Sequence, residues 1–67
     1  MGLVQVFGQR VREVRLKKGW TQEQLALEAR VKRAYLSEVE SGKRSVSLPF
    51  VEKIAIALEC EPADLMR

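Results

Sequence analysis

The stretch WTQEQLALEARVKRAYLSEVESG, Trp20 to Gly42, limits what this chain can fold into more than any other. Thr21 and Gln24 have the spacing of a capping box, in which the Thr oxygen accepts from a backbone N–H and the Gln side chain reaches back. A helix starts here, with Leu25 and Ala26 facing inward and Trp20 set to pack on Leu25 just ahead of the cap. A second helix is predicted from Lys32 to about Glu40, with Leu36 and Val39 inward and Gly42 as its terminator. Two short helices that meet steeply need a positive φ between them, which glycine supplies most easily. The chain puts Arg30 there.

The flanks read as helices too. Val4, Phe7, Val11 and Val14 share one face of a predicted helix over about Leu3 to Lys18, and Gly19 stops it. Leu48, Val51, Ile54, Ala55 and Leu58 repeat at helical spacing after Ser47, the best cap for a fourth helix. Pro49 falls in its first turn, where proline is tolerated. A short fifth helix is expected after Glu61, with Pro62 at its first position. Nothing reads as a strand, a repeat or a linker. The expectation is one all-α domain over residues 1–67, a compact five-helix bundle around one core.

Composition removes several classes of function. The 67 residues suffice for one small domain and leave a thin stability margin, so oligomerisation is expected. There is no histidine and one cysteine, Cys60, so neither a disulfide within the chain nor a zinc cluster is expected. Cys60 reads as a small buried hydrophobe, and a single free thiol fits a reducing cytoplasm. No glycine-rich phosphate loop is present, and no Ser or Cys nucleophile sits beside a base, so the chain is not expected to be an enzyme or to need a cofactor. No apolar run approaches the length of a membrane span, and MGLVQVFGQR has neither the charged start nor the long apolar centre of a signal peptide. Charge is uneven. Arg10 to Arg44 holds ten Lys and Arg against five Glu, whereas Ser45 to Arg67 holds two against four acidic residues. A basic front and an acidic back suggest a polyanion on one side.

With these features in order, the block TQEQLALEARVKRAYLSEVESGKRS resembles the Cro/repressor-type (Xre-like) helix-turn-helix family, with the motif at about 21–40. RVREVRLKKGWTQEQLA before it and SLPFVEKIAIALECEPADL after it extend the resemblance over nearly the whole chain. RAYLSEVESGKRSVSL is similar to the corresponding segment of restriction-modification controller proteins. The resemblance implies a fold of the phage-repressor DNA-binding-domain type. It implies that Ala26 is the small residue where the two motif helices cross, that Val31, Leu36 and Val39 are buried, and that Arg15 and Glu40 pair to tie the first helix to the third. Two positions depart from the family. Arg30 stands where glycine is usual, at a cost of roughly 1–2 kcal/mol for a left-handed residue with a side chain. Lys32 stands where Ser or Thr often caps the third helix, a loss of about 1 kcal/mol.

The implied function is sequence-specific binding of double-stranded DNA by a transcriptional regulator, with the third helix in the major groove. Lys32, Arg33, Ala34, Ser37 and Glu38 are the candidate base contacts. Arg33 suits guanine O6 and N7, and Glu38 suits a cytosine amino group; phosphate contact alone is the other reading for Lys32 and Arg33. Gln22, Tyr35, Lys43 and Arg44 are candidates for phosphate, with half-burial the alternative for Tyr35. Regulators of this kind act as homodimers on two-fold sites, and the acidic third offers Phe50, Ile56, Leu65 and Met66 as candidates for the interface, some of which must be core instead. With no room after the last helix for a sensing domain, no small-molecule effector is expected. A second class of function stays open: an antitoxin-like or adaptor module that keeps the fold and binds protein.

Overall fold

A computed structural model describes residues 2–67. Helix α1 spans Leu3–Lys17, α2 Gln22–Ala29, α3 Arg33–Glu40 and α4 Leu48–Leu58, and one 3-10 turn covers Pro62–Leu65. Among the described residues there are thus four α-helices, not five. The expected fifth element lies in its expected place, but Asp64 N–H bonds to the Glu61 carbonyl at i to i+3, and this tighter winding turns Leu65 fully into the core. No strand occurs among the described residues.

The capping signals act as their chemistry requires. Thr21 Oγ1 accepts from Gln24 N–H at 3.1 Å, and Gln24 Oε1 accepts from Thr21 N–H at 2.7 Å. Ser47 Oγ accepts from Phe50 N–H at 3.3 Å, with proline beside it in the first turn. All four α-helices then close alike. A residue of positive φ stands at Gly19, Arg30, Gly42 and Glu59. The next N–H reaches back to a carbonyl of the last turn: Trp20 to Arg15, Val31 to Ala26, Lys43 to Glu38 and Cys60 to Ala55. Arg30 has φ 57 and ψ 47, so the turn is kept without glycine. Lys32 precedes α3 without a side-chain cap, and the helix starts one residue later than expected.

Replacing Arg30 by glycine should therefore stabilise the domain. Relief of the left-handed strain is worth roughly 1–2 kcal/mol, and the extra freedom of glycine in the unfolded chain takes back about half of that. A melting temperature higher by about 4 °C is expected. A lower one would show that Arg30 makes a contact that outweighs its backbone strain.

Phe7, Val11, Leu25, Leu36, Val39, Ile54, Leu58 and Leu65 form the fully buried centre, with Ala26, Ala29, Phe50, Val51 and Ala55 around it. Val14, Trp20, Val31 and Cys60 pack on it half-buried, and burial pushes the Cys60 thiol pKa up. The rim of the core departs from expectation at one residue. Leu48, expected inward, is 77% exposed, because the first residue of α4 overhangs the edge of the core. Of the four candidates for a dimer surface, Phe50 and Leu65 are the ones that belong to the core, at 5% and 0% exposure. Phe50 sits between Phe7, in an edge contact with centroids 6.5 Å apart, and Tyr35, stacked at 4.7 Å. Ile56 is 77% exposed and Met66 half-buried, so these two remain available for an interface.

Candidate nucleic-acid interface

Helix α3 is fixed from behind by apolar and polar contacts together. Leu36 and Val39 enter the core, while Glu40 at its last turn meets Arg15 of α1 in a forked pair. Arg15 Nε donates to Glu40 Oε2 at 2.8 Å and Nη2 to Oε1 at 2.9 Å. Arg15 Nη1 also donates to the Trp20 carbonyl at 2.7 Å, and Gln22 Nε2 donates to Glu40 Oε1 at 3.2 Å. The side chains of Arg15 and Glu40 are only 9% and 4% exposed. One buried polar hub therefore joins α1, the start of α2 and the end of α3. Gln22, expected at phosphate, has its amide engaged in that hub.

The opposite face of α3 is open. Lys32, Arg33, Ala34, Ser37 and Glu38 are all exposed, and with Tyr35 and Arg44 they line one shallow concavity. Lys32 and Arg33 make no ion pair among the described residues. Their charges are free to act on a bound polyanion. Tyr35 is half-buried, with its ring on Phe50 and its hydroxyl 3.5 Å from the Ser45 carbonyl. Lys43 is exposed in the loop after α3.

Arg44 and Glu38 meet across the turn at Gly42. Arg44 Nε and Nη2 donate to the same Glu38 oxygen, Oε1, at 2.9 and 2.8 Å. This hydrogen bonding and the carboxylate's charge raise the Arg44 pKa above its usual value. The Arg44 guanidinium lies 4.9 Å from the centre of the Tyr35 ring. Opposite charges six residues apart, on either side of a helix-ending glycine, were the available sequence signal for this contact.

Two further cations flank the face. Arg12 of α1 lines a polar concavity with Gln22, Ser37 and Ser41. Lys53 of α4 lines another with Arg30, Lys32 and Tyr35, on the far side of α3. In sequence Lys53 belongs to the acidic third, and the fold brings it beside Arg30. No helix of the described residues is long and apolar enough to cross a membrane, and no cluster of metal-binding side chains occurs among them.

A capped α2, a tight turn at positive φ and an outward-facing α3 locked to α1 define a helix-turn-helix protein. The chain belongs to that family, whose pattern matches residues 11–65. Among its relatives is the control protein C.BamHI of Bacillus amyloliquefaciens. The two are 48% identical over 62 residues, which span 91% of this chain and 76% of C.BamHI. The structure is similar to the restriction-modification controller protein C.AhdI from Aeromonas hydrophila, with a TM-score of 0.89 and 47% identity over 92% of this chain and 94% of that one. It is also similar to the controller protein C.Esp1396I, solved as a tetramer in complex with its natural 35 base-pair operator. There the TM-score is 0.89 and the identity 29%, over 97% of this chain and 86% of the other.

Proposed function

We propose that this chain is a sequence-specific DNA-binding transcriptional regulator of the restriction-modification controller type, acting as a homodimer on a two-fold operator. The observation that carries the reading is the outward face of α3, where Lys32 and Arg33, without an ion pair among the described residues, stand beside Ala34, Ser37 and Glu38. Helix α3 enters the major groove with its N-terminal residues at base edges, Arg33 on a guanine. Lys43 and Tyr35 flank the groove at the phosphates, with Gln22 beside them, its amide already donating to Glu40. The likeness to C.BamHI, C.AhdI and C.Esp1396I supports the controller assignment. The protein acts by binding and not by catalysis, in the cytoplasm, without a small-molecule effector. Ile56 and Met66 are the apolar residues left for the contact between copies.

Selection of bound sequences from a random duplex pool, at near-physiological salt, tests this. An enriched two-fold motif is expected, with half-sites about one helical turn apart. Arg33→Ala should relax one base position per half-site by about tenfold. A pool without enrichment, bound only weakly and in proportion to low salt, would overturn the proposal in favour of a protein-binding module.

A further inference from the structure

We infer that Glu38 and Arg44 form a single reading unit for one C·G base pair in each half-site, an inference that rests on the DNA-reading function proposed above. The family resemblance implies a phosphate contact for Arg44 and a base contact for Glu38. The geometry joins them. Arg44 Nε and Nη2 both donate to Glu38 Oε1, while Oε2 accepts no hydrogen bond and Arg44 Nη1 donates none among the described residues. An acceptor and a donor group thus stand side by side on the open face of α3, and both side chains are about half exposed.

A C·G pair presents the matching set in the major groove, with the cytosine amino donor beside the guanine O6 and N7 acceptors. An A·T pair fits less well, since its two acceptors lie on either side of the adenine amino group and the thymine methyl crowds one of them. Charge argues the same way. A lone arginine is drawn to phosphate, but the Glu38–Arg44 pair is neutral as a whole and gains little from the backbone's field. The pair is also held in place. The Arg44 guanidinium rests on Tyr35, Tyr35 stacks on Phe50, and Phe50 meets Phe7 in the core. Lys43 N–H bonds to the Glu38 carbonyl at 2.9 Å and fastens the loop to the helix. Pre-positioned donors and acceptors lose less freedom on binding than mobile ones.

The test is the same random-duplex selection run with wild type, Glu38→Gln and Arg44→Lys. Lysine keeps the charge of Arg44 and loses its fork. In wild type, one position per half-site should be C·G by about tenfold or more. Both variants should relax that same position and keep the rest of the motif. Unchanged melting temperatures for both exposed substitutions are expected alongside. A wild-type motif that both variants retain at every position, with affinity lowered evenly or not at all, overturns the pair reading and leaves DNA reading intact. So does a relaxed position that is A·T in wild type. A wild-type pool with no motif overturns the DNA-reading proposal and this inference with it.

Discussion

Replacing Arg15 by methionine lowers the stability of the domain by about 3–5 kcal/mol. The loss follows from what is left behind. Glu40 is 4% exposed in its side chain and takes both of its ionic hydrogen bonds from Arg15. Without the guanidinium its charge stays buried with only Gln22 for company, and the Trp20 carbonyl loses a donor as well. A domain of this length holds roughly 3–10 kcal/mol in all, so the variant loses about a third or more of its stability. Urea denaturation followed by circular dichroism measures the loss. Removing both charges, as Arg15→Met with Glu40→Leu, should recover most of it, because the cost lies in the orphaned charge more than in the missing bond. A single-variant loss below about 1 kcal/mol would put the pair in the class of exposed surface bridges.

Gly8→Ala is the second change expected to act strongly. A Cβ at Gly8 would lie 2.1 Å from the Val39 carbonyl oxygen and 3.1 Å from its carbon. Those atoms belong to the backbone of α3 and cannot swing aside. Helix α1 must instead lift away from the recognition helix, against the packing of Phe7 and Val11 and against the Arg15–Glu40 fork. Overpacking of this kind costs typically 1–3 kcal/mol, and the contact is short enough for about 3. The better helix propensity of alanine returns about 1 kcal/mol. A net loss of about 2 kcal/mol is expected, seen as a melting temperature lower by roughly 8–16 °C. An alanine variant as stable as the parent would mean that α1 and α3 can separate without harm to the core.

What could be read in advance divides along physical lines. Local chemistry was legible: the Thr21–Gln24 box, the Ser47 cap and the positive φ at Arg30 each depend on residues a few positions apart. Helical periodicity found most of the core but misplaced its rim. Leu48 keeps the period and still lies outside, because periodicity fixes a direction around the helix axis and not how far along it the core extends. Phe50 and Leu65 stayed open between core and interface until the fold was built, since an apolar residue can as well fill one as the other. Gly8 gave no signal at all. A glycine within a helix costs stability locally, and its use is visible only once α3 crosses it. At the reading face, exposure of Lys32, Arg33, Ala34, Ser37 and Glu38 was foreseen, while the bond between Glu38 and Arg44 needed the turn at Gly42 to be built first.

The helix ends carry a consequence for how such a protein changes its target. Four helices stop with the same backbone geometry, and two of those stops use Arg30 and Glu59 where glycine would be easier. Each is a place where one substitution raises stability without replacing a base-contact candidate of α3. New specificity usually requires mutations at the reading residues, and most mutations destabilise. A lineage that first acquires glycine at position 30 or 59 can then tolerate a costly change at Arg33 or Ser37 that would unfold its ancestor. The two strained turns are reserves of evolvability, held at positions other than the reading residues whose variation they permit.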